Sequence, residues 1–406
     1  MRGRPSVLFV HYTFPGVVGG VETVVAHHAA GLRDQANVRL LAGRGRTGVT
    51  GVERIRIPLV DSLHPAVVRV SRELARGRVT PAFAELREDL AAALLPHLRG
   101  ADRVVLHNVA TMGLNLPLVA ALHEVAPGLP PGRLIVWIHD LAAADARHAA
   151  LLHPGEPWAL LSRPLPGARY VAVSVDRQEQ AARLLGIAPD SIRVVPNGVD
   201  LGGMLRLSRR GRALVERLGL AAADPLLLLP ARLVRRKRIE LAIVAAGSLR
   251  RRGRRARLIV TGGPDPHDPD ASLYLAELRA LVAEAGDHDV LLFDVIGRSA
   301  DDSFVADLYA LSDALVFPSA TEGFGLPVIE AAVNRLPMVC TDLAVFRSLA
   351  GPAATYVPVG ADGEAYADAI ERALATSLAA GLAGRVRREL DWRRVVTEQV
   401  VPAILG

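Results

Sequence analysis

Short apolar runs of three to five residues recur along this chain, and most are separated by helix-length amphipathic stretches. Val7–Val10, Val38–Leu41, Val104–Leu106, Leu134–Ile138, Tyr170–Val173 and Ile192–Val195 form a first series. Leu226–Leu229, Arg257–Thr261, Val290–Phe293, Ala314–Phe317 and Pro337–Cys340 form a second. The stretches between them, such as 21–32, 85–98 and 176–185, then 238–251, 273–285, 304–311 and 327–334, have helical length. This is the pattern of parallel sheets with crossover helices. It predicts an α/β chain of two doubly wound domains with a boundary near residue 200. Ligands of such sheets bind at the carboxyl ends of the strands. Two facing sheets would share a ligand in the cleft between them.

At 406 residues, half of them hydrophobic, the chain can build two cores. Aromatic residues are only 4%, so aliphatic side chains and alanine must fill those cores. The net charge of +6 raises nucleic acid or an anionic membrane as a partner. The basic runs 235–238 and 250–257 are short, and neither an aromatic platform nor zinc-finger spacing accompanies them. The expectation is therefore no nucleic acid, and a basic surface around a pocket for a small anion. Cys340 is the single cysteine, which excludes an intramolecular disulfide and fits a reducing cytosol. No run of about 18 apolar residues could span a membrane. The apolar part of residues 1–10 is too short for a signal-peptide core. These features predict a cytoplasmic protein, with peripheral membrane contact left open.

Among 48 lysine and arginine residues there is one lysine, Lys237. Arginine fills nearly every position that needs a cation, as a high-GC coding bias would produce. Lysine is a compact point charge where arginine is a planar fork, and it is a common phosphate binder. Lys237 follows the run Leu226–Leu229 in P-A-R-L-V-R-R-K, with Arg232 five residues before it. Together the two could neutralise a diphosphate, also as a leaving group. Arg235, Arg236 and Arg238 have the alternative reading of solvated neighbours. A second motif, T-E-G-F-G-L-P-V-I-E at 321–330, directly follows Ala314–Phe317. Gly323 and Gly325 permit a tight turn with exposed amides, and Pro327 suits the first turn of a helix. Glu322 stands before that helix and Glu330 within it, so the two can address different parts of one ligand. A third motif, G-V-V-G-G-V-E at 16–22, lies between the first strand and its helix. A helix N-terminus there favours phosphate, though the dinucleotide fingerprint spacing is absent. His139, in W-I-H-D at 137–140, ends a strand of the first series. Asp265, Asp268 and Asp270 fall in the Gly/Pro/Asp loop 262–270 and read as solvated. No D-x-D-type metal motif adjoins a strand.

With these motifs in this order, the chain resembles the retaining GT-B glycosyltransferases of family 4. The resemblance is carried by G-G-V-E-T (19–23), H-D (139–140), V-P-N-G-V-D (195–200), A-R-L-V-R-R-K (231–237) and the E-x7-E string at 322–330. It extends over essentially the whole chain. It implies a GT-B fold of two Rossmann-like domains facing an interdomain cleft. Residues 1–198 would form the acceptor-side domain, 199–385 the nucleotide-sugar domain, and 386–406 a helix crossing back to the first. Arg232 and Lys237 would hold the donor diphosphate and Glu330 the ribose. Glu322 with Gly323, Phe324, Gly325 and Leu326 would take the sugar and phosphate. Gly19 and Gly20 would close over the phosphate, and His139 would sit beside the transferred sugar. The implied reaction transfers a sugar, with retention, from a nucleoside-diphosphate sugar to a hydroxyl acceptor, be it a small molecule, a glycan or a glycolipid. No metal and no further cofactor are expected. Two positions depart from the family pattern: Arg238 stands where glycine usually follows the lysine, and Ala231 where glycine often opens the motif. The alternatives are a GT-B epimerase, which would need acid/base groups on both sides of the sugar, and a non-catalytic binder of sugar nucleotides. A pyridoxal-phosphate phosphorylase would need a second lysine.

Overall fold

The computed structural model describes every residue except 1–2, 18, 47–48, 287–289 and 292–299. It divides into two units: 1–198 with 392–406, and 199–391.

In the first unit, among the described residues, seven parallel strands run in the order β3-β2-β1-β4-β5-β6-β7. They are β1 (Ser6–Val10), β2 (Asn37–Ala42), β3 (Glu53–Arg56), β4 (Arg103–His107), β5 (Leu134–Ile138), β6 (Arg169–Ala172) and β7 (Ile192–Val194). Alternate residues of β1 feed opposite faces, as the strand period of two requires. Leu8 and Val10 pack with Leu90, Leu94 and Leu98 of the helix Pro81–Arg99. Val7 and Phe9 pack on the other face with Val24 and Val25 of the helix Gly20–Leu32, and with Trp392, Val396 and Val400. The chain's last residues thus complete the first unit's core. Trp392 stacks on His27 at 4.7 Å and meets the edge of His28. Gly198, in the V-P-N-G-V-D motif, leaves room for that indole, since a Cβ there would lie 2.6 Å from it.

The second unit has the order β10-β9-β8-β11-β12-β13. Its strands are β8 (Leu226–Leu229), β9 (Arg257–Val260), β10 (Val290–Leu291), β11 (Ala314–Phe317), β12 (Met338–Thr341) and β13 (Ala354–Val357). The end of the strand expected at 290–293 lies outside the described residues. β8 and β11 are fully buried and adjacent, with Leu227 opposite Ala314 and Leu228 opposite Leu315. In both sheets the order reverses beside the first strand, between β1 and β4 and between β8 and β11. Such switch points open a crevice at the strands' carboxyl ends. Cys340 is fully buried in β12, the structural thiol its apolar run suggests.

The boundary expected at 386 falls inside the helix Leu378–Glu389, which belongs to the second unit; the returning segment starts at Trp392. The physical reason is a buried ion pair. Arg387, 3% exposed, meets Asp313, which immediately precedes β11. Its guanidinium also donates to the carbonyls of Leu220 (2.9 Å), Ala221 (3.0 Å) and Ala223 (3.1 Å). Asp313 in turn accepts from the Leu226 amide at 2.7 Å, at the start of β8. Burial pushes the Asp313 carboxyl up and the Arg387 guanidinium down.

Removing one member of such a pair strands a buried charge, whereas an apolar replacement of both does not. We expect Arg387→Ala to destabilise the second unit by about 3–5 kcal/mol, and Arg387→Met with Asp313→Leu to destabilise it less. Thermal unfolding of the three proteins reads the order, and equal losses from the single and double variants would contradict it.

Candidate functional site

In the second unit the loops after β8 and β11 are laced together. The Ala320 amide donates to the Arg236 carbonyl at 2.7 Å. The Arg236 guanidinium reaches the Thr321 carbonyl at 3.3 Å and Glu322 at 3.4 Å. Lys237, 9% exposed, makes a close ion pair with Glu322. Glu322 also accepts from the Ser319 hydroxyl at 2.9 Å, and the Lys237 ammonium lies 4.7 Å from the centre of the Phe317 ring. Burial holds the Lys237 ammonium below the usual lysine range, against the opposing pull of Glu322. Lys237, read from the sequence as a diphosphate ligand, is paired here with a carboxylate, the first glutamate of the E-x7-E string. A compact ammonium suits this half-closed spot; a guanidinium would not.

These residues line a cavity of about 530 Å3 at the carboxyl ends of the two strands. Arg232, Phe324, Gly325, Leu326 and Glu330 share its wall with Lys237 and Glu322. Arg232 is exposed and makes no ion pair among the described residues. Phe324 and Leu326 are 54% and 61% exposed, so the rim is apolar. Gly325 caps the helix Leu326–Val333 at φ 94°, and a Cβ there would lie 2.8 Å from Phe346. Gly323 has open space around it and does not line the cavity. Glu330, in the helix, accepts from the Tyr309 hydroxyl at 2.7 Å. Burial, then this bond, pushes the Tyr309 phenol up, so it stays a donor. Tyr309 lies in a helix core pattern, and nothing in the sequence distinguishes it. Asp265 is not simply solvated: it too lines the cavity.

The neighbouring arginines are not free either. Arg235 holds Glu277 through two hydrogen bonds of 2.8 and 2.7 Å. Arg238 adopts φ 50°, ψ 47° as it caps the helix Ile239–Arg251. This is the left-handed conformation glycine takes without strain, so the departure from the family pattern keeps the glycine-like backbone.

In the first unit His139, 7% exposed, follows β5, and its Nε2 lies 3.0 Å from Nδ1 of the fully buried His107. The Asn108 side chain accepts from the amides of His139 (2.9 Å) and Asp140 (3.1 Å) and donates to Asp140. Burial lowers the His139 imidazole to about 4, so it is neutral at physiological pH. Gly20 opens the helix Gly20–Leu32 and Gly19 precedes it. The φ of Gly19 is −176°, which any residue adopts; a Cβ there would lie 2.1 Å from the Glu22 carboxylate, so a side chain would displace that carboxylate from its present place. That carboxylate accepts from Thr13 and lies 3.6 Å from His11. His11 also bonds the His107 carbonyl at 2.9 Å. The chain thus gathers His11, Glu22, His107 and His139 at the ends of β1, β4 and β5. Glu22 stands in the G-G-V-E motif itself, but its partners cannot be read from spacing. His11 holds the Glu22 carboxyl down at about 2, with burial opposing and Thr13 assisting.

Among the described residues no group of three His, Cys, Asp or Glu is placed to hold a metal ion. No helix among them is long and apolar enough to cross a membrane.

Two family models match the chain, one to each half. Residues 18–202 match Glycosyltransferase Family 4, and residues 212–385 match Glycosyl transferases group 1. The chain is similar to the D-inositol 3-phosphate glycosyltransferase of Nocardia farcinica, 32% identical over 63% of this chain and 53% of the relative. The protein of that name from Xylanimonas cellulosilytica is 30% identical over 68% of this chain and 63% of the relative. Mannosylglucosylglycerate synthase of Thermotoga maritima is 25% identical over 68% and 65%. The chain spans between half and two thirds of the length of these relatives.

A depressed carboxyl contributes stability that is present above its unfolded value, near 4.5, and is lost as pH falls through the folded value, near 2. We expect Glu22→Gln to unfold at a lower temperature than the parent at neutral pH, with the gap narrowing below 4.5. A gap that is constant from pH 7 to pH 3 would show that Glu22 is not held as described.

Proposed function

The chain belongs to the family-4 glycosyltransferases of GT-B fold, and from that premise we propose that it moves a sugar, with retention and without a metal, from a nucleoside-diphosphate sugar to a hydroxyl acceptor. The observation that carries the reading is the second unit's cavity, where Arg232, with no ion pair among the described residues, stands beside the Lys237–Glu322 pair and the N-terminus of the helix Leu326–Val333. Cations and a helix N-terminus stabilise a departing diphosphate. Arg232 would meet the diphosphate directly. Lys237, held by Glu322, would supply a fixed positive charge at its base. Glu330, oriented by Tyr309, would take the ribose hydroxyls through its second oxygen. In the transfer, the bond from the anomeric carbon to the diphosphate breaks and the bond to the acceptor oxygen forms on the same face. The acceptor's proton passes to the leaving phosphate oxygen, so no separate base is needed. A neutral His139 adds no positive charge beside a sugar that becomes oxocarbenium-like. A cytoplasmic location fits a soluble nucleotide donor.

Screening nucleoside-diphosphate sugars by thermal shift, then assaying release of free nucleoside diphosphate, tests the assignment; a chain that binds donor without turnover would be a binding protein. Lys237→Ala should lower kcat/KM by about 100-fold or more, the scale of one lost transition-state contact, and Lys237→Arg should not restore it. Glu330→Ala should weaken binding of the bare nucleotide in calorimetry. Near-normal turnover by Lys237→Ala would remove the diphosphate role.

With the best donor, proton NMR of the first-formed product in excess EDTA should show the donor's anomeric configuration. An inverted product would overturn retention, and activity that needs added magnesium or manganese would overturn metal independence.

A further inference from the structure

A second cavity lies wholly within the first unit. Its volume is about 220 Å3, and its wall is formed by Leu74, Leu116, Ala142, Leu152 and Trp158. Leu114 and Leu151 also line it and are 38% and 50% exposed. Two polar residues line it. His148 lies 3.3 Å from Asp145. Ser71 has its hydroxyl oxygen buried without a hydrogen-bond partner. The floor is fixed: His153 meets the edge of the Trp158 ring at 5.0 Å and bonds the Ala75 carbonyl at 3.2 Å.

The cavity is joined to the loops that carry His139. Asn108, whose side chain holds the His139 amide, accepts through its carbonyl from the Thr111 amide at 3.1 Å. The Thr111 carbonyl accepts from the Ala142 amide at 3.0 Å. Ala142 and Gly113 both line the cavity, so part of its wall comes from the segments that follow β4 and β5. A group seated there belongs to a molecule that can also reach the polar cluster at those strand ends.

An apolar cavity of about 150 Å3 stays dry and admits benzene. This one is larger, at about 220 Å3. Water gains little on such a wall, and the exposed leucines at the mouth lose contact with water only if something apolar covers them. We propose that this cavity is an acceptor subsite: it takes a short apolar group of the acceptor, an alkyl chain or an aryl ring. The acceptor's reactive hydroxyl then lies toward His139. The inference rests on the proposed transfer reaction and narrows its acceptor to molecules with an apolar end.

The test separates the two readings. Octyl, phenyl and methyl glucosides are titrated against the protein without donor, following tryptophan fluorescence, which includes Trp158. The octyl or the phenyl compound should bind at least about tenfold more tightly than the methyl compound, a modest share of what burying several carbons can yield. Which of the two binds better distinguishes chain from ring. Ser71→Phe fills the cavity, and Leu151→Asp charges its mouth at an exposed position that folding tolerates. Both should abolish the preference while leaving donor affinity, measured by calorimetry, unchanged. In transfer assays, acceptors carrying the favoured group should show a KM at least about tenfold lower than untailed ones, and the variants should remove that advantage. Equal binding of all three glucosides, a preference that survives in both variants, or a tail that binds without lowering KM would overturn the subsite. A parent protein that neither binds nor turns over any donor would overturn the transfer reaction instead, while the fluorescence titration still reports on the cavity.

Discussion

Lys237 and Glu322 are held out of water against each other, 85 residues apart in the chain, and the second unit is arranged so that they meet. Neither charge is stable there alone, because a buried ion without its partner costs several kcal/mol, about 3–5 when one member is removed. The pairing requires β8 and β11 to be neighbours, since Lys237 follows one and Glu322 the other. It also requires their loops to keep register, which the Arg236–Ala320 backbone bond and the Arg236 side chain provide. At the opposite end of the same strands, Asp313 and Arg387 fix where β8 and β11 begin. Two buried ion pairs thus bracket the strand pair on which the cavity is built.

The first unit solves a different problem. Its strand ends gather several imidazoles and one carboxylate. Burial lowers His28, His107 and His139, so these three are neutral, while Glu22 stays ionised next to His11 and Thr13. His139 is neutral through burial, although the carboxylates of Asp140 and Glu22 lie near enough to oppose that shift. In the proposed reaction this matters, because a cationic imidazole would oppose positive charge developing on the sugar. A side chain at Gly19 would displace the Glu22 carboxylate from this arrangement, while the backbone angle there suits any residue.

The family models meet between residues 202 and 212, a few residues past the division of the structure into units at 198 and 199. The first unit is not closed by its own half of the chain, however. Trp392, Val396 and Val400 enter its core from the far end, so its stability depends on residues beyond both models' matches. The first unit's cavity is walled by loops and short helices, which tolerate change more readily than the strands beneath them.

What the sequence determined by itself was whatever depends on local pattern. Strands buried on both faces announce themselves as apolar runs, and β5, β8 and β11 fall where those runs lie. β3 and β13 were not legible, because both are edge strands and only partly buried, so neither needs an unbroken apolar run. The E-x7-E string, Arg232, Lys237 and His139 could be singled out from residue type and position after a strand. Their partners could not. That Lys237 meets Glu322, that Tyr309 orients Glu330, and that His107 and Asn108 hold His139 are decided by which strands lie side by side. Strand order is set by packing both faces of each sheet against helices, a property of the whole unit. A local sequence specifies which side chains are offered; only the assembled sheet specifies which of them share a low-dielectric site, and there pairing is obligatory because an unpaired charge cannot be buried.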